Sequence, residues 1–268
     1  MTDVTKGHTV RKYDKELGTA RRRVLEMGAQ VLEQIRKAVS ALGKGDLGLA
    51  REVIDNERKI DSLEIDIDEA IFDLIAKRQP AAIDLRFILA LSKVTGDLER
   101  AGDKAARIAW CAIRLIERTS QRPTSKKILH HIHSLDQVAR RLLERSLDAL
   151  AKIDVDLALE VLEDGSQLDS LTERQSGSEP SGPLCKLENG SELDDGFDAA
   201  IRHAMTFVLE DTQLVSQVLD VVFVLRALAN IGDHAGNIAE QVIFVAEGKD
   251  VRYQNKEVLV DALRERRE

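Results

Sequence analysis

Apolar residues recur at the helical period over stretches of about thirty residues, and very little interrupts them. Leu17, Val24, Val31 and Ala38 stand at heptad steps in a first stretch from about Arg11 to Leu42, with Ile35 and Leu42 alongside. Gly43, Gly45 and Asp46 supply a stop and then an N-cap for the next helix. That helix, about Leu47 to Arg78, buries Val53, Ile60, Ile67, Ile71 and Leu74 and ends at Pro80. A third, about Ala81 to Glu117, carries Phe87, Leu91, Val94, Leu98, Ala101, Ala105, Ile108 and Leu115 on one stripe, and Pro123 closes this half. Aromatics at 3 % and four prolines in the whole chain agree with long helices rather than sheets.

The second half repeats the plan. A helix from about Ser125 to Leu150 turns Ile128, Ile132, Leu135, Val138 and Leu142 inward, and Asp154 caps another that reaches about Glu173. A Gly-, Ser-, Pro- and acid-rich segment follows, RQSGSEPSGPLCKLENGSELDDG, read as a flexible loop. Helical pattern resumes at Phe197, turns near Glu210 to Thr212, and runs to Glu247 with Gly248 as its C-cap. The halves correspond residue by residue. Ile60-Asp61-Ser62-Leu63 matches Leu168-Asp169-Ser170-Leu171. Leu89, Val94, Leu98, Gly102, Asp103, Ala105, Ile108 and Ala109 recur as Leu219, Val224, Leu228, Gly232, Asp233, Ala235, Ile238 and Ala239. The expected fold is therefore all-α: two tandem, pseudo-symmetric three-helix bundles of long antiparallel helices, spanning 8–120 and 124–253. A polar insertion near 174–196 interrupts the second bundle, and 254–268 forms a C-terminal tail.

A chain of 268 residues is long enough for two packed units. The net charge of −8 disfavours a nucleic-acid partner, whose phosphates require cationic contacts. Cys111 and Cys185 form neither a CxxC nor a Cys/His ligand pattern, so Cys111 is read as packing. The N-terminus has no apolar targeting segment, and the most apolar run, Val218 to Ile231, is cut by Asp220 and Arg226 and is too short to span a bilayer. These readings predict a cytoplasmic protein with no direct membrane insertion.

Carboxylates carry the chemistry. Glu57 and Asp61 are four apart in the second helix, Glu99 and Asp103 four apart in the third, so each pair shares a helix face. If the two helices align, four carboxylates meet on one patch, with Glu64 and Asp68 extending it. Like charges held together raise each other's proton affinity unless a cation compensates, and hard oxygen donors suit iron, manganese, magnesium or calcium. The plainer reading is a solvated acidic face paired with Arg58, Arg100, Lys104 and Arg107.

The strings RQPAAIDLRFILALSKVTGDLERAGDKAARIA and ANIGDHAGNIAEQVIFVAEGKDVRY make the chain similar to the PhoU family of phosphate-transport regulators, over about His8 to Tyr253. The resemblance implies acidic E(D)xxxD patches that bind iron, manganese or magnesium, matched here by Glu57, Asp61, Glu99 and Asp103. In the second repeat Gly165 and Ala229 stand where Glu57 and Glu99 stand in the first, leaving Asp169 and Asp233. His234 is read as a helix–helix hydrogen-bonding residue, and Arg86 as an ion-pair or interface residue. The resemblance further implies a negative regulator of phosphate uptake and of the phosphate-starvation response. It would act as an adaptor between the ATPase subunit of a phosphate ABC transporter and a phosphate-sensing histidine kinase, as a homodimer and without catalysis. The competing reading is a carboxylate-bridged metalloenzyme or metal store. It lacks support in the residues: there is no Glu-x-x-His motif, no Walker-type phosphate loop, and Asp233-His234 reverses the His-Asp order of a phosphohydrolase.

Overall fold

The computed structural model describes residues 11–119, 125–164, 200–202 and 214–251. Six helices are delimited within them: α1 (Arg11–Lys44), α2 (Leu47–Arg78), α3 (Ala82–Thr119), α4 (Lys126–Lys152), α5 (Val155–Asp164) and α6 (Val215–Glu247). No strand occurs among the described residues. The fold is the all-α tandem bundle expected from the periodicity.

Local chemistry sets the helix ends. Gly45 adopts φ +69°, a left-handed conformation that costs glycine little, and Asp46 then accepts a hydrogen bond from the Leu49 N–H at 3.0 Å. The corresponding corner of the second half uses Ile153 at φ 50°, followed by Asp154, which accepts from the Leu157 N–H at 3.2 Å. Gln79 ends α2 in a left-handed conformation directly before Pro80, and Gly248 ends α6 at φ +71° with its N–H on the Phe244 carbonyl. The two hairpins also share an ion pair: Lys37 reaches Glu52 across α1–α2, and Arg145 reaches Glu160 across α4–α5, fifteen residues apart in each.

The apolar stripes read from sequence face inward. Leu17, Val24, Val31, Ile35 and Ala38 are fully buried, as are Phe87, Leu91, Val94, Leu98, Ala101, Ala105 and Ile108. Val138 is an exception, only partly buried, because Asp136 and Ala139 turn inward beside it. Helix α3 packs against α1, α2 and α6; α6 packs against α3, α4 and α5; α1 meets α4. One continuous core results, with α3 and α6 antiparallel at its centre. Helix α6 has the length and composition of a membrane span, but 56 % of its most apolar stretch is buried inside the bundle, as in the core helix of a packed protein. Expectations for the 174–196 insertion, the turn near Glu210 to Thr212, the 254–268 tail, Cys185, Gly165 and Asp169 fall outside the described residues.

Candidate functional site

Helices α2 and α3 run antiparallel, and Gly102 lets them come close: a Cβ there would stand 3.2 Å from Ile60 Cγ2. Gly96 lies under Glu64, and the Ser92 hydroxyl donates to Asp68 Oδ1 at 2.9 Å. This alignment faces the acidic side of α2 toward Glu99 and Asp103. Carboxylate oxygens of Asp61, Glu99 and Asp103 lie within 4.8 Å of one another. Glu57 flanks this trio from α2. Its carboxyl is held above the usual range by partial burial, then by the charges of Asp103 and Asp61, with Arg58 opposing. Glu64 is raised likewise, by burial and then by Asp68 and Asp61. The strongest effect falls on Glu99, pushed up to about 7 by burial and by Asp103, Glu64 and Asp61.

Two nearby cations are drawn toward other partners, although Arg58 still opposes the shift of Glu57, and Arg100 those of Glu64 and Glu99, through space. Arg100 bonds Asp97 Oδ1 at 2.9 Å, and Arg107 lies over the Phe223 ring, 5.0 Å from its centroid. Among the described residues, the patch therefore accumulates carboxylates without a guanidinium in hydrogen-bond contact, which is the electrostatic condition a hard cation relieves. All three converging donors are carboxylates, a set suited to magnesium, manganese or iron rather than to a thiolate-bound zinc. The donor chemistry fits the ions that the resemblance implied. In the second half, Asp233 is exposed on α6, and Ala229, at the position matching Glu99, is buried and offers no oxygen ligand.

His234 does bond between helices: its Nδ1 lies 2.9 Å from Asp97 Oδ1, which also accepts from Asn237 Nδ2 at 3.1 Å. Despite burial, the hydrogen bonds from His234, Arg100 and Asn237 hold the Asp97 carboxyl below its usual value. Arg86 is an interface residue rather than an ion-pair partner, donating through Nε to the Val245 carbonyl at 3.3 Å. Cys111 is buried, its sulfur in contact with Arg114 Nη2.

Sequence reasoning passed over three buried acids. Asp97, Asp136 and Asp220 are each nearly inaccessible, and each is held by arginine: Arg100, Arg140, and Arg114 with Arg118. In the sequence, Asp220 stands out only as a break in an apolar run. An acid interrupting such a run was the available signal.

A phosphate-specific transport system accessory protein PhoU homolog of Pseudomonas aeruginosa is 37 % identical over 246 residues, covering 92 % of this chain and 90 % of that protein. The chain belongs to the PhoU family. The family model described as PhoU domain matches residues 24–112, which contain all of α2 and the whole carboxylate cluster. The phosphate-specific transport system accessory protein PhoU of Escherichia coli is 30 % identical, over 92 % of this chain and 90 % of its own length. Among solved structures, the crystal structure of PhoU from Pseudomonas aeruginosa matches with a TM-score of 0.73 at 36 % identity, covering 88 % of this chain and 100 % of that one. A PhoU described as a phosphate transport system regulatory protein, from Streptococcus pneumoniae, shares the fold with a TM-score of 0.72 at 21 % identity.

Proposed function

We propose that this protein is an accessory regulator of a phosphate-specific transport system, restraining phosphate uptake and the phosphate-starvation response without catalysing a reaction. The observation that carries this is the 37 % identity over 92 % of the chain to a relative named for that role. In this reading the protein works in the cytoplasm as a homodimer. It contacts the transporter's ATPase subunit and a phosphate-sensing histidine kinase through the faces of its long helices. Deleting the gene and measuring phosphate uptake together with a starvation-responsive reporter tests it. Derepression in phosphate-rich medium, reversed by the intact gene, is expected; a silent reporter with unchanged uptake refutes it.

We further propose that Asp61, Glu99 and Asp103, flanked by Glu57, hold iron, manganese or magnesium between α2 and α3. A bound cation would offset the mutual repulsion of these carboxylates and tie the two helices together across the gap that Gly102 keeps narrow. By sequence correspondence, Asp169 and Asp233 stand where Asp61 and Asp103 do in the first repeat, and with two glutamates replaced there this second patch is expected to bind more weakly. Elemental analysis of purified protein, with Glu99 and Asp103 both replaced by Ala, tests the first patch. Metal content should fall to background; undiminished metal rejects it.

A further inference from the structure

Along α3, cations occur at every seventh residue from Arg86 to Arg114: Arg86, Lys93, Arg100, Arg107, Arg114. Four of the five contact α6, and Arg100 bonds Asp97, which the α6 residues His234 and Asn237 also bond. Arg86 bonds the Val245 carbonyl, Lys93 sits 5.5 Å from the Phe244 ring centroid, and Arg107 covers Phe223. Arg100 and Arg114 hold the buried acids Asp97 and Asp220. Lys104 and Arg118 fall on the adjoining stripe with Asp97, giving seven cations along this side of α3, while Glu99 and Asp103 of the same helix face α2. The repeat does not preserve this. The α6 residues that match the five cations are Ser216, Phe223, Asn230, Asn237 and Phe244, none of them charged.

Four of the seven cations are open to solvent. Arg100 is 54 % and Arg118 46 % exposed, and Lys93 and Arg107 are exposed while laid over aromatic rings. Among the described residues, Lys93, Lys104 and Arg107 have no carboxylate partner. Next to them α6 exposes Leu219 and Phe223, one turn apart, at 47 % and 42 %. A positive track beside an apolar pair, on a chain of net charge −8, is a local reversal of the protein's sign. Seven helical residues rise ~10.5 Å, so a second helix lying along the seam would return its own side chains at the spacing of the cations.

We propose that the α3–α6 seam is the docking surface for an acidic amphipathic helix of a partner protein, carboxylates against the Lys93–Arg107 stripe and apolar residues against Leu219 and Phe223. This deepens the accessory-protein reading by naming a surface and the chemistry of what it takes. The Lys93 and Arg107 contacts with aromatic rings hold those cations over the groove, and the charge pattern selects an anionic partner and speeds its encounter.

The test uses the full chain, a 28-residue helical peptide with Glu at heptad spacing beside a Leu face, the same peptide with Lys for Glu, and phosphatidylglycerol vesicles. Wild type should bind the acidic peptide at least thirty-fold more tightly than its lysine counterpart. The Lys93→Glu/Arg107→Glu variant should lose that preference with unchanged helicity; Lys93→Gln/Arg107→Gln replaces it if charge reversal prevents folding. Equal binding of the two peptides, or an acidic preference that survives in the variants, overturns the proposal. So does vesicle binding without peptide binding, which would make the seam a lipid-facing surface. Self-association lost in the variants, without peptide binding, would assign the seam to a second copy and likewise overturn it. Retention on the solubilised transporter is scored separately: a wild type that prefers the acidic peptide but is not retained sinks the accessory-protein reading and leaves the seam standing.

Discussion

At the scale of single residues, the cluster gathers carboxyls of raised proton affinity, whereas the seam pairs its buried acids with arginine. Glu99 has a carboxyl pushed up to about 7. A carboxyl whose folded-state value is raised favours folding while protonated, and that stability is lost as pH rises from the unfolded value through the folded one. The metal-free protein should therefore lose thermal stability between about pH 4.5 and 7 through this group. Glu99→Gln should flatten that slope, and manganese should raise the wild-type Tm at pH 7.5 but not that of Glu99→Ala/Asp103→Ala. Thermal melts across pH, with and without the ion, check all three outcomes. Asp97 behaves oppositely. Its lowered value contributes stability above 3.8 that disappears as pH falls through the folded value. Asp97→Ala leaves His234, Asn237 and Arg100 without their shared acceptor and should cost about 2–3 kcal/mol at pH 7, measured by urea denaturation.

At the scale of helices, α2 and α3 bring their carboxylates together because they come close where Gly102 allows it. Gly102→Val would press on Ile60, where even a Cβ stands only 3.2 Å from Cγ2. Overpacking of this kind costs about 1–3 kcal/mol. The expected outcome is retained helicity, a lower Tm and weaker manganese uptake, because Asp61 is displaced from Glu99 and Asp103; calorimetric titration measures the last. Much at this scale was legible in the sequence. The corner at Gly45-Asp46 announces itself by residue type, and the stripe from Leu17 to Ala38 by period, since both are local properties of the chain. The acid pairs on α2 and α3 showed which faces carry charge, but their convergence depends on how two helices slide along each other, which Gly102 and Ile60 decide. Least legible were the bonds from Asp97 to His234 and from Asp220 to Arg114, which join residues more than a hundred positions apart. Asp220 at least breaks an apolar run, but nothing local distinguishes Asp97 from a solvated aspartate until the two central helices are brought together.

At the scale of the whole molecule, those same bonds decide whether the tandem bundles behave as two units or one. The two halves are built on similar corners and similar interhelical ion pairs, which by themselves would let each fold separately. Helices α3 and α6 pack directly on each other, however, and the buried core runs through both without a break. Two buried acids cross that junction: Asp97, held from α6 by His234 and Asn237, and Asp220, held from α3 by Arg114 and Arg118. Asp220 is compensated by arginines of the other half, and Asp97 by two donors from the other half in addition to Arg100 of its own helix. A half unfolding alone would leave its neighbour with a buried unpaired charge and an exposed apolar face, so partial unfolding is costlier than the sum of lost contacts within one bundle. The protein should therefore melt in one cooperative transition despite its duplicated plan. Asp220→Ala, by removing the acceptor of Arg114 and Arg118, should lower that transition by about 2–3 kcal/mol and keep it single, because Asp97 and the continuous core still couple the halves. Asp97→Ala/Asp220→Ala together should be the combination that broadens it or splits it in two. Scanning calorimetry of the four proteins, comparing calorimetric with van't Hoff enthalpy, decides the matter: two transitions in the wild type would mean that α3 and α6 pack without coupling.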